Sequence, residues 1–172
     1  MNKYLKTAYQ FGALGGILSV SSFFILSLFN ADPTNLNLVF GYLITPFAVY
    51  LAIRFFKDYK NEGFLSFAEG MTIGAVTYVL LALLSALGIW LILEGNTELF
   101  GAIQQAKGAV LEASQAAIVA QVGQESYDLT KANIQTMSPW DVALNDGFWK
   151  IIPGMFFSII ISIILRKNPS IS

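Results

Sequence analysis

The chain has 172 residues, of which 55% are hydrophobic, with ten Lys or Arg against eleven Asp or Glu and a net charge of −1. Charged residues make up 12%, about half the usual share of a soluble domain, and the mean hydropathy is +0.61. The charge balance leaves no basic surface for nucleic acid, and the absence of Cys and His removes disulfides, thiol nucleophiles, thiolate metal sites and the commonest general base.

The apolar residues are bunched into four runs. The first is Thr7 to Phe29. Lys3 and Lys6 precede it like the basic start of a signal peptide, but the run is long and the SLFNADP that follows offers no small-x-small site, so it reads as an uncleaved first span. A breaker-rich turn, Asn30 to Asn35, leads to a second run from Leu36 to Phe56 with Pro46 in its middle, where membrane helices tolerate a kink. Arg54 to Gly63 is a charged connection. Between Ser66 and Glu94 the chain is organised around twenty-four uncharged residues, Gly70 to Leu93. At about 1.5 Å per residue they cover the roughly 30 Å hydrocarbon core of a bilayer. After a long polar stretch, the fourth run is Gly147 to Leu165, with Pro153 inside it and Arg166, Lys167 and a short tail beyond. The expectation is an all-α membrane protein, one integral membrane domain over 1–172. Four transmembrane helices (about 7–29, 36–56, 67–93 and 147–165) form a bundle, with a helical extracytoplasmic insert, 96–145, between helices three and four.

Orientation follows from the basic residues beside the spans. Lys3, Lys6, Arg54, Lys57, Lys60, Arg166 and Lys167 fall on one side. The insert side holds Lys107 and Lys131 against Glu94, Glu98, Glu112, Glu125, Asp128, Asp141 and Asp146. The pattern predicts both termini in the cytoplasm and the insert outside, that is, periplasmic in a bacterial inner membrane. Trp90, Trp140 and Trp149 fall near the outer boundary, as an aromatic belt does.

Within the insert, Thr97 to Val122 has helix-forming composition, and Leu99, Ile103, Ala106, Val110, Ala113 and Ala117 recur at four-three spacing. The spacing predicts a helix with that apolar stripe, a turn near Gly123 and a second helix over Ser126 to Thr136. Ser138-Pro-Trp-Asp141 then has the form of a helix start, with Ser at the N-cap, Pro at N1 and Asp at N3, leading into span four.

Helix association in lipid depends on close backbone approach, and each span carries small residues at the needed spacing. Gly12 and Gly16 in span one, Gly70 and Gly74 in span three, and Gly154 and Ser158 in span four are the expected packing positions. Chemistry-bearing residues are few. Glu69 lies at the start of span three; Ser66-Phe-Ala-Glu69 has the form of a capping box, and the alternative is an ion, proton or headgroup role with Arg54 or Lys57. Arg54 and Lys57 are simplest as topology determinants that also suit anionic headgroups. Lys150, beside Trp149, suits either an interfacial anchor or a phosphate or sugar head on the outer face. No metal site, cofactor loop, paired carboxylates or nucleophile–base pair can be assembled.

The opening NKYLKTAYQFGALGG, the NEGFLSFAEGMTIG of Asn61 to Gly74, the long polar insert and the terminal ILRK resemble a family of small Bacteroidota membrane proteins, domain-of-unknown-function family 4199. Asn61 to Gly74 is the most specific part. The resemblance implies an inner-membrane protein of four helices and carries no catalytic residues. The functional expectation is a non-enzymatic scaffold or accessory subunit, touching membrane lipid and another membrane protein or itself. The alternative is a small transporter or flippase-like component for a lipid-linked or small solute.

Overall fold

The computed structural model describes residues 3–168; residues 1–2 and the last four of the C-terminal tail lie outside them. All seven elements are helices: α1 (Lys3–Ser27), α2 (Thr34–Lys60), α3 (Phe67–Gly95), α4 (Thr97–Ala113), α5 (Gln115–Val122), α6 (Gln124–Thr136) and α7 (Pro139–Leu165). Four of them, α1, α2, α3 and α7, are long and apolar enough to cross a membrane.

The helix starts follow local chemistry. At α3 the Ser66 hydroxyl accepts from the Glu69 N–H while the Glu69 carboxylate accepts from the Ser66 N–H; Ser138 and Asp141 do the same at α7, with Pro139 at N1. Pro33 precedes α2 without a side-chain cap of its own, and Asp32 supplies one by accepting from the Thr34 N–H at 2.9 Å. Gly123 separates α5 from α6 at φ +87°, a left-handed conformation that glycine adopts without a Cβ penalty. α7 begins at Pro139, where the Ser138 cap predicts a helix start, and runs on into the apolar run from Gly147.

α3 is the shared element, packed against α1, α2 and α7, while α2 also packs on α1 and α7. The chain ends meet the α2–α3 connection: Lys3 Nζ donates to Asn61 Oδ1 at 2.8 Å, and Leu65 and Lys167 form an antiparallel bridge. This end is called the termini side; the opposite end is the insert side. The helix faces are inside-out relative to a water-soluble protein. Leu14, Ile17 and Leu18 on α1 are each more than half exposed, as are Leu83, Phe156 and Ile163. The buried faces carry small residues instead. A Cβ on Gly12 would lie 2.8 Å from the Thr77 carbonyl oxygen, on Gly16 2.7 Å from Leu84 Cβ, and on Gly70 2.6 Å from Ser162 Oγ. Gly74 faces Ser158 and Gly154 faces Tyr78 in equally tight contacts. Such close backbone approach lets dispersion act where lipid supplies no hydrophobic drive.

Two apolar clusters form the interior. One, on the termini side, gathers Ala8, Val49, Ile53, Phe56, Leu65, Ile73 and Ile161. The other, on the insert side, gathers Phe23, Ile89, Leu93, Val142 and Ala143 and includes Ile103 of α4, so the insert packs on the ends of the long helices. The buried line of α4 differs from the expected stripe. Ile103 and Leu111 are buried, whereas Val110 is 67% exposed. Positions i, i+4 and i+8 face inward because Lys107, midway between them, is drawn to Asp32 and Thr34 at the start of α2.

Candidate functional site: a buried polar centre

Between the two apolar clusters lies a polar layer. Its core is Asp146 and Lys150, one turn apart on α7 and therefore on one face of the helix. Their side chains form an ion pair, with Lys150 fully buried and Asp146 6% exposed. Two other helices bond the carboxylate directly, and a third stands behind them. Asn37 of α2 donates its amide N–H to Asp146 Oδ1 at 2.7 Å, and Ser85 of α3 donates its hydroxyl to Oδ2 at 2.7 Å. Ser19 of α1 lies 3.0 Å from Ser85, and Ser22 of α1 donates to Asn37 Oδ1 at 2.7 Å. Asn37, Ser85 and Ser19 are all fully buried. Space for the lysine is made by Gly41 of α2, where a Cβ would lie 2.8 Å from Lys150 Cε.

The two charges are not equally provided for. Asp146 has donors on both oxygens. The Lys150 ammonium lies against Asp146 Oδ1 and has no other acceptor among the described residues. Thr45, one turn from Gly41 along α2, has a buried hydroxyl with no partner among them. A buried ion pair of this kind is weak evidence for stability, since desolvation offsets most of the attraction. Ionisable groups inside membrane-spanning helices are by default candidates for function. Lys150 stands sixteen residues before Arg166, about 24 Å along the helix, so the pair sits towards the insert side of a roughly 30 Å apolar layer.

A cavity of about 160 Å³ leads to Asp146 from the insert side. Phe23, Leu38, Ile89 and Val142 give it apolar walls, while Thr34, Lys107, Asp141 and Asn145 supply its other polar groups. Lys107 Nζ lies 2.9 Å from Thr34 Oγ1 and 3.4 Å from Asp32 Oδ2, tying α4 to the start of α2. Asp141 is occupied by its capping box, its carboxylate accepting from Ser138 N–H and hydroxyl at 2.7 Å each. Towards the termini side, Val49, Ile53, Ile73 and Tyr78 pack as apolar core.

The residues singled out from the sequence fall in different places. Glu69 is half-buried at the termini side, where it caps α3 through Ser66 and accepts from Tyr4 Oη at 3.1 Å and Asn61 Nδ2 at 3.4 Å. These contacts hold α1 and the α2–α3 connection to the start of α3. Arg54 is not brought to it. It donates to Tyr50 Oη at 2.8 Å and pairs with Asp58 at 3.5 Å on the exposed face of α2, and Lys57 lies in the last turn of the same helix. Lys150 overturns the reading of an interfacial anchor or outer headgroup site. Trp149 is 41% exposed and bonds Asn145 at 3.1 Å, but successive helical residues point about 100° apart, which turns Lys150 inward.

In sequence, Asp146, Asn37, Ser85, Ser19 and Ser22 are not brought together: Ser19 and Ser22 read as small packing residues of span one and Asp146 as an acid of the insert side. The available signal was Asp146-x-x-x-Lys150 inside a helix already capped at Ser138, an i,i+4 pair of opposite charge on the face that carries Gly154 and Ser158. No curated protein and no solved structure matches the chain. The family described as a protein of unknown function, DUF4199, matches residues 10–167. That match spans nearly the whole chain, which therefore belongs to the DUF4199 family.

Proposed function

We propose that this protein takes a small polar solute or ion into a four-helix transmembrane bundle at the Asp146–Lys150 centre, as a small transporter-like component. The observation that carries the reading is the buried Lys150–Asp146 pair, whose carboxylate lines a cavity that opens towards the insert. A structural pair alone needs no such approach. The distribution of basic residues supports both termini in the cytoplasm of a bacterial inner membrane and the insert, α4 to α6, outside it. The reading requires no bond-making chemistry of the protein. Its test is solute flux or a proton-linked signal in vesicles containing the purified protein, compared with vesicles containing Asp146→Asn. A flux that Asp146→Asn abolishes supports it, and identical traces from both preparations refute it.

A second reading, an accessory subunit that docks another membrane protein or a second copy, is favoured by the insert. Val110, Val122 and Leu129 there are 58–67% exposed, and α5 buries none of its residues. Native mass spectrometry of gently extracted protein tests it: a stoichiometric partner supports it, and a lone protomer counts against it.

A further inference from the structure

We infer that the centre binds a small monocarboxylate together with one proton, the carboxylate on Lys150 and the proton on Asp146; this rests on the reading of the centre as a solute site. Three observations carry it. First, the pair is neutral as a unit and buried in an apolar layer, so a lone proton or a lone anion would leave an uncompensated charge there. Second, the deficit in the site is of acceptors. Asp146 has hydrogen bonds from Asn37 and Ser85 as well as the charge of Lys150, while the Lys150 ammonium has no partner but that one carboxylate among the described residues. Third, the approach has apolar walls and a volume of about 160 Å³ that suits a carboxylate on a short alkyl tail.

The exchange balances. A proton from the insert side forms an O–H bond on the Asp146 carboxylate, which loses its hold on Lys150. The ammonium keeps its three N–H bonds and takes the incoming carboxylate in place of Asp146. The net charge of the centre is zero before and after. Asp146 is the group that the cavity reaches, and Lys150 lies one turn deeper opposite Gly41, so the protonated side chain must swing aside for the ligand to pass. The surroundings leave the proton few other places. α1, α2 and α3 present the neutral Ser19, Ser22, Asn37 and Ser85. The other charged groups along the cavity are Asp141, held by Ser138, and Lys107, held by Asp32.

The test is calorimetric titration of propionate into the full chain in lipid nanodiscs, repeated in buffers of different ionisation enthalpy. The expected result is saturable binding with about one proton taken up per propionate at neutral pH. Asp146→Asn should bind propionate with no proton uptake, and Lys150→Gln should lose at least about tenfold in affinity. Absence of saturable binding, or binding without proton uptake by the natural chain, overturns the proposal, and neither outcome depends on how well a variant folds. Proton-linked binding without flux in vesicles would keep this site and discard transport. Flux of another solute without propionate binding would discard this site alone.

Discussion

Replacing Lys150 with Met keeps the length of the side chain and removes its charge. Asp146 would then retain Asn37 and Ser85 as donors, each at 2.7 Å, but would have no counter-charge in a fully buried setting. Breaking a buried pair by removing one partner costs about 3–5 kcal/mol, most of it the penalty of the stranded charge. Asp146→Asn strands the ammonium instead, at a similar cost. The double variant leaves no stranded charge and keeps the volume, so it should lie within about 2 kcal/mol of the natural chain. The coupling between the two sites is then several kcal/mol, with the double variant more stable than either single one. Reversible unfolding of all four proteins in mixed micelles, followed by circular dichroism, measures it. Single-variant losses that add to within about 0.5 kcal/mol would mean that the two side chains do not share a buried, charged contact.

Other substitutions separate tight positions from open ones. Gly41→Ala places a methyl 2.8 Å from Lys150 Cε and should cost about 1–3 kcal/mol while weakening ligand binding. Gly101→Ala and Gly108→Ala, in α4 with nothing within 4 Å, should each stabilise the protein by about 0.5–1 kcal/mol in the same unfolding assay. Glu69→Ala removes the α3 capping box and should cost about 1–2 kcal/mol, yet leave solute binding at the Asp146–Lys150 centre unchanged in calorimetry. Lys107→Ala cuts a partly exposed tie to Asp32 and Thr34, so its stability loss should be under about 1 kcal/mol, and it should speed modification of residues lining the cavity.

The membrane-helix content was legible because it rests on length and unbroken apolarity, signals that no tertiary contact is needed to read. Both capping boxes were legible for the same reason, since Ser66 with Glu69 and Ser138 with Asp141 are local. The inward face of α4 was misplaced by one position because Lys107 is captured by Asp32, seventy-five residues earlier in the chain. The polar centre was missed because span four was started at Gly147, just past Asp146, and Lys150 near its outer end reads as an anchor. Asp146 and Lys150 were therefore assigned to the boundary, although the cap at Ser138 had already started the helix two turns before them. Asn37, Ser85 and Ser19 are unremarkable in sequence and acquire meaning only when α1, α2 and α3 bring them to one carboxylate.

The chain contains no cysteine, so a single one can be introduced as a clean reporter. Val142 is 8% exposed and lines the cavity above Asp146. Val142→Cys should react with a membrane-impermeant thiol reagent added on the insert side of sealed vesicles and be protected from the same reagent on the termini side. Ser158→Cys, deep in the packed interior, should react from neither. Labelling of Cys at 142 only from the termini side, or of Cys at 158 as readily as at 142, would contradict a polar centre that is approached from the insert alone.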